Sequence, residues 1–337
     1  NELMMLGDPK HGNWKDSSDY KRAVSYAPKS PDFDVKEDHA RGEISKNFPG
    51  LEVVTVQSFG ESMGNRAFLV NGEYVFRFPR SERTVSNFQT EITLLQELQS
   101  VVSLPVPNPK YVGRSSNDLP FLGYKLIPGG TLEPRFIRSA DGILKSHLVQ
   151  GISQFFREVH SFDKEKARES GVSERNSLGK YHGELERTRE ILYPILEREF
   201  PRQASQLRDL IEKSFSEYFA NHRNFEYEPA LLHGDLESEH IMYSPDQDKL
   251  MGIIDFGGAV IGDPDYDLWR PYFHYGKEFI EEMLKTYPHS DPKFLFQKMD
   301  FYMTAQIVHR LVRAALGKQL SLLGQLTRFK EWAIERI

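Results

Sequence analysis

Residues 231–244 read Leu-Leu-His-Gly-Asp-Leu-Glu-Ser-Glu-His-Ile-Met-Tyr-Ser, and residues 249–257 read Lys-Leu-Met-Gly-Ile-Ile-Asp-Phe-Gly. In each, a short apolar run leads into an acid, Asp235 in the first and Asp255 in the second. A short apolar run bounded by turn residues reads as a buried strand, so both acids should stand at strand ends, where a carboxylate is anchored and still exposed. His240 lies between them in sequence. Two such carboxylates with a further ligand between them suit phosphoryl transfer. One acid takes the proton of an attacking hydroxyl, and the other holds Mg²⁺ against nucleotide phosphates.

Upstream, residues 51–79 suggest three antiparallel strands. Ala67–Val70 and Tyr74–Phe78 are apolar-rich runs split by Asn71-Gly72, the pair best suited to a two-residue hairpin turn. Residues 85–101 then place Phe88, Ile92, Leu95 and Leu98 on one helical face. A proline-broken stretch and a strand-like run, Phe121–Ile127, end at Pro128-Gly129-Gly130, read as a linker. Beyond it the chain is mostly helical, over 146–162, 178–220 and 276–336, with a β-rich interlude at 230–256. The expected organisation is a polar N-terminal extension at 1–40 outside the core, a small antiparallel β-sheet lobe at 41–127 and a larger, mostly helical lobe at 128–337, with a cleft between the two lobes. The fold class is α+β.

Composition narrows the function. The 337 residues include 12% aromatics, which a disordered chain would lack. No apolar run approaches the ~18 residues of a helical membrane span. The net charge of −6 is mild and does not suit a dedicated nucleic-acid binder. With no cysteine, disulfides, zinc-thiolate sites and thiol nucleophiles are excluded.

The His233-Gly234-Asp235-Leu236 stretch with His240, followed by Ile253-Ile254-Asp255-Phe256-Gly257, resembles the motifs of the aminoglycoside phosphotransferase family, which has a protein-kinase-like fold. His240, where kinases carry Asn, resembles the aminoglycoside 2″-phosphotransferase and macrolide phosphotransferase branch. Phe256-Gly257 leans toward the aminoglycoside side. The resemblance implies that Asp235 is the general base and Asp255 the Mg²⁺ ligand. His240 takes the second metal-side position, through a water or a phosphate, because Mg²⁺ prefers oxygen donors. It also implies that His233 braces the loop and that Asp263 and Asp267 are structural. Arg77 stands where the family carries a phosphate-binding Lys, on one strand face with Val75 and Pro79, and Glu91 is its ion-pair partner. Gly60 and Ser62 lie in a strand-to-strand loop that could approach phosphates, although an ordinary hairpin loop reads the same way. Lys125 and Ile127 are the hinge positions expected to meet the purine of ATP or GTP.

These features imply a Mg²⁺-dependent small-molecule kinase of the cytoplasm, acting on a free hydroxyl. An aminoglycoside is the first acceptor choice, and a macrolide or a metabolic amino alcohol or sugar the alternative. A nucleotide-binding module without turnover is the competing class. One feature opposes a polycationic acceptor: residues 270–337 hold 7 acids and 11 bases. Glu278, Glu281 and Glu282 read either as an acceptor-binding cluster or as a solvated face. Trp269, Tyr272, Phe273, Tyr275 and Phe279 read as core or acceptor wall. Oligomeric state is left open.

Overall fold

At Asn71-Gly72 both φ angles are positive, 55° and 68°, the backbone that a tight hairpin turn demands and that Asn and Gly adopt at least cost. The turn joins strands in a sheet of order β1-β2-β3-β5-β4. These are β1 (Val56–Glu61), β2 (Asn65–Val70), β3 (Tyr74–Pro79), β4 (Tyr111–Arg114) and β5 (Pro120–Lys125). The computed structural model describes residues 33–61, 64–80, 82–316 and 324–325. The first strand begins later than the run at 51–58 suggests. Asn71 Oδ1 accepts the N–H groups of Val54 and Thr55 at 2.9 and 3.0 Å, so the turn side chain holds that stretch instead of a ladder.

Alternation along β3 divides the sheet into two faces. Phe76 and Phe78 join Phe68 and Phe121 on one side, with Phe78 and Phe121 stacked at 4.6 Å. Val75 faces the other way, against Phe88 and Ile92 of helix α2 (Glu82–Leu98). The Phe face is covered by α1 (Glu37–Asn47) through Ala40 and Ile44. The extension drawn at 1–40 is therefore corrected for its last residues. Val35 and Ala40 are core, and Arg66 holds Asp34 and the Val35 carbonyl at 3.0 and 3.1 Å. The helix escapes a periodicity reading because two apolar residues in eleven carry its contact. Full burial of Ile44 alone contributes about 1.5–3 kcal/mol. Residues 1–32 lie outside the described residues.

The larger part is built on α3 (Gly142–His160), α4 (Ser177–Arg187), α5 (Pro201–Ala220), α6 (Asp265–Tyr275) and α7 (Pro292–Ala315). Phe155, Phe156, Ile211, Phe215, Leu268, Met299 and Val308 lie in its main core cluster, and Ala230, Leu232 and Val260 form a smaller one. α3 starts four residues before the expected point because Asp141 caps it, accepting from the N–H groups of Ile143 and Leu144. The helical pattern at 178–220 passes through a π-turn at Thr188–Leu192, resumes as a helix over Tyr193–Glu199 and breaks once more before Pro201, where proline suits a first helical position. The pattern expected at 276–336 gives a short helix, Lys277–Met283, and α7. Its residues 317–323 and 326–337 lie outside the described residues.

Two small sheets stand among these helices. β6 (Gly130–Thr131), β8 (Ile241–Ser244) and β9 (Lys249–Ile253) form one, while β7 (Ala230–Leu232) pairs with β10 (Val260–Gly262) in the other. The three-residue β10 has too little pattern to be read in advance. Among the described residues no helix is long and apolar enough to cross a membrane. The whole is the expected α+β arrangement: a small antiparallel sheet followed by a larger helical lobe.

Candidate active site

Strand alternation brings the first basic group to the site. Arg77 stands in a cross-strand row with Gly60, Ala67 and Leu122. It shares its face with Val75, so its guanidinium turns toward α2, where Nη1 pairs with Glu91 Oε1. Its Nη2 reaches Asp255 Oδ1 at 3.0 Å. Both members of the Arg77–Glu91 pair are buried. Burial works against the arginine charge, yet Glu91 and Asp255 hold its pKa above the ordinary range. Burial pushes the Glu91 carboxyl up, and Arg77 pulls against it.

Asp255 follows β9 in the left-handed region at φ 66°. Such a conformation in a non-glycine residue costs on the order of 1–3 kcal/mol and collects at functional sites. Here it aims the carboxylate between Arg77 and His240. His240 Nδ1 donates to the Asp235 carbonyl at 2.6 Å, which leaves Nε2 facing Asp255 Oδ2 at 3.6 Å. Burial raises the Asp255 carboxyl, but Arg77, His240 and His233 together hold it below the ordinary carboxylate range. Among the described residues no three His or acidic side chains form a ready-made metal cage. Asp255 and His240 stand together as a pair, with the Asp255 side chain 33% exposed.

The loop carrying Asp235 is fixed from below. Asp267 of α6 accepts the backbone N–H of His233 and of Gly234, each at 2.8 Å, and His160 Nε2 holds Asp267 Oδ2 at 3.0 Å. The His233 side chain braces the loop, Nε2 donating to the Ile254 carbonyl at 3.1 Å and Nδ1 accepting the Asp235 N–H at 3.3 Å. Burial lowers the His233 pKa, in keeping with that neutral tautomer. Gly234 sits at φ 78°, and a Cβ there would meet the Gly258 carbonyl oxygen at 2.1 Å. The loops of Asp235 and Asp255 therefore touch through backbone.

The model of the phosphotransferase enzyme family (APH) matches residues 55–302. The chain belongs to this family. The phosphotransferase superposes on the GDP and kanamycin complex of APH(2″)-IIia with a TM-score of 0.79 and 28% identity, covering 89% of this chain and 99% of the other. It superposes on a GDP complex of aminoglycoside 2′-phosphotransferase-IIIa, a point mutant, with a TM-score of 0.82 and 29% identity, over 89% and 98% of the two chains. The macrolide 2′-phosphotransferase MphH from Brachybacterium faecium shares the fold at a TM-score of 0.61 and 16% identity, over 83% and 94%. The phosphotransferase is a small-molecule kinase.

Of the positions singled out in the sequence, Arg77, Glu91, Asp255, His240 and Asp235 come together. Gly60 lies in their sheet row, with open space where a Cβ would stand, while Ser62 lies outside the described residues. Leu126 N–H donates to the Glu73 carbonyl at 2.8 Å. Alternation then turns the Lys125 backbone to the opposite edge, beyond the last residue of β5 paired to β4. Ile127 rests its side chain over Gly252.

Sequence reading missed the group beside the Asp235 carboxylate. Arg270 Nη2 lies 2.5 Å from Asp235 Oδ1, and its Nη1 pairs with Glu237 Oε1. His274 Nε2 donates to Glu237 Oε2. Burial pushes the Arg270 guanidinium down to about 10; burial, with Arg270 beside it, holds the His274 imidazole down to about 4. The available signal was the spacing Asp267, Arg270, His274, which places all three on one face of a helix. Trp269, Tyr275 and Phe279 are core, whereas Phe273 is 50% exposed. Glu278, Glu281 and Glu282 pair with Lys145, Lys277 and Lys285 respectively, as a solvated face does.

Proposed function

We propose that this phosphotransferase uses Mg²⁺ and GTP or ATP to phosphorylate a hydroxyl of a small-molecule antibiotic. An aminoglycoside is the first acceptor to test, and a macrolide the second. The observation that carries this reading is the meeting of Arg77 and His240 at Asp255, with Asp235 one hydrogen bond away through His240. Relatives solved with GDP make GTP the first donor to try.

The residues present fit Mg²⁺. With Oδ1 held by Arg77, Asp255 offers Oδ2 as a hard oxygen donor, and His240 Nε2 is placed to accept from a coordinated water. Mg²⁺ commonly binds through one or two protein groups, keeping waters and taking phosphate oxygens for the rest. When bound, it neutralises charge on the transferring phosphates.

The chain's own residues supply the remainder. Arg77, braced by Glu91 and turned onto Asp255, supplies a fixed positive charge beside the phosphates. Asp235 orients the acceptor hydroxyl and takes its proton at Oδ2, since Arg270 occupies Oδ1. Gly60, Lys125 and Ile127 are the proposed backbone contacts to phosphate and purine. Phe273, exposed beside His274, gives an apolar acceptor such as a macrolide a surface to rest on.

The test is release of nucleoside diphosphate in Mg²⁺ buffer, with GTP and ATP separately, against aminoglycosides, macrolides and small amino alcohols. Acceptor-stimulated release is expected. Nucleotide binding without release for any acceptor would replace this reading with a binder that does not turn over.

A further inference from the structure

α6 touches the catalytic loop three times along one face. Asp267 holds the backbone at His233 and Gly234, Arg270 holds the side chains of Asp235 and Glu237, and His274 holds Glu237 again. We propose that Arg270 is a positioning residue for phosphoryl transfer, acting through Asp235. The proposal rests on the function proposed above and assigns a role to a residue outside the nucleotide and metal positions.

The Asp235 side chain is 42% exposed, so packing alone does not fix its rotamer. Its backbone N–H goes to His233 and its carbonyl to His240, but neither contact orients the carboxylate. Arg270 does. Arg270 is 9% exposed, and its guanidinium stands 4.6 Å from the Trp269 ring centroid and forks between the two carboxylates. A planar fork fixed at one end by Glu237 sets both the distance and the direction of the other end. His274 in turn fixes Glu237. The cluster keeps a charge out of water and leaves Arg270 Nε, a buried donor, without a hydrogen-bond partner. A purely structural brace has no need of that arrangement, because Asp267 already anchors the loop backbone. With Oδ1 engaged, Oδ2 is presented to the acceptor in one orientation, which is the condition for efficient proton acceptance.

The experiment compares the unsubstituted enzyme with Arg270→Lys, Arg270→Gln and Arg270→Ala, using GTP or ATP with kanamycin, erythromycin and ethanolamine as acceptor probes. For Arg270→Gln and Arg270→Ala, kcat should fall about ten- to a hundredfold while the nucleotide KM stays within about threefold, the signature of a group that acts in the transition state. Arg270→Lys should recover part of the loss. Added guanidinium at millimolar concentration should restore activity to Arg270→Ala but not to the unsubstituted enzyme. Unchanged kcat in Arg270→Gln overturns the proposal. So does a loss that guanidinium and Lys both fail to relieve and that tracks a lowered Tm and a raised nucleotide KM, because that is a folding defect. An unsubstituted enzyme silent with every acceptor overturns the proposed function and this role together. Activity in the unsubstituted enzyme with none of the expected changes in the variants removes only the role of Arg270.

Discussion

Arg77 Nη2 lies 3.0 Å from Asp255 Oδ1, across 178 positions of sequence. One guanidinium therefore joins the small sheet to the loop after β9 while its other arm is committed to Glu91. A lysine ammonium is a point charge without a planar fork and does not reproduce this double contact in the same geometry. The pairing thus suits Arg rather than Lys.

The first prediction follows from burial. Removing one partner of a buried pair leaves the other uncompensated and costs about 3–5 kcal/mol. Arg77→Ala should lower the thermal midpoint by about 4–7 °C, taking an unfolding entropy of about 2.1 cal/mol/K per residue over the 337 residues. Adding Glu91→Gln should return part of that loss, since the stranded charge is gone. Differential scanning calorimetry on the two variants reads both effects. A double variant no more stable than Arg77→Ala would mean that Glu91 is not the stranded group.

The second prediction separates the two acids. Asp235→Asn should lower kcat by about 10²–10⁴, the range for a lost general base, with modest change in nucleotide affinity. Asp255→Ala should remove the part of nucleotide affinity that depends on Mg²⁺. Calorimetric titration of nucleotide with and without Mg²⁺, beside turnover assays, distinguishes them. An unchanged kcat in Asp235→Asn removes Asp235 from its role.

Much of this arrangement is legible in the sequence because it depends on local signals. Asn71-Gly72 sets the hairpin, the alternation Val75, Arg77 turns the guanidinium toward α2, and the acids close apolar runs that do fold as β7 and β9. α1 was not legible, since it seats through Ala40 and Ile44 within an otherwise charged segment. Arg270 was hidden for a different reason. In sequence it is one base among eleven over 270–337, whereas its contact is with Asp235, 35 residues earlier in the chain, which only the packing of α6 under the Asp235 loop brings to it.

The third prediction concerns acid. Burial raises the Asp267 carboxyl, but His160, His233 and the Gly234 N–H outweigh it and hold the group below the ordinary carboxylate range. A carboxylate whose folded pKa lies below its unfolded value, about 3.9, contributes stability that is present above that value. The contribution is lost as pH falls through the folded pKa. Asp255 is shifted in the same direction. Unfolding free energy should therefore fall below about pH 4. Asp267→Asn should flatten that acid slope and also lower stability at neutral pH, because an amide offers one acceptor oxygen to two buried N–H groups, each costing about 1–3 kcal/mol when unsatisfied. Urea unfolding at a series of pH values measures the slope. An unaltered slope in Asp267→Asn would assign the acid sensitivity to other carboxylates.

The last prediction uses two glycines with nearly the same backbone. Gly72 has φ 68° with nothing within 4 Å of the place a Cβ would take, while Gly234 has φ 78° and the Gly258 carbonyl oxygen at 2.1 Å. In Gly72→Ala only the left-handed backbone is penalised, about 1–2 kcal/mol, so stability falls slightly and turnover stays. In Gly234→Ala the same penalty applies, and the two loops must also separate, because the obstructing atom is backbone rather than a side chain that can turn away. Asp235 moves with its loop. A displacement of about 1 Å at a reacting group costs on the order of a hundredfold in rate. The expected result is a kcat loss of that order in Gly234→Ala with a stability loss exceeding that of Gly72→Ala. Equal stability and equal turnover in the two variants would show that the close approach of Gly234 to Gly258 is not what fixes the Asp235 loop.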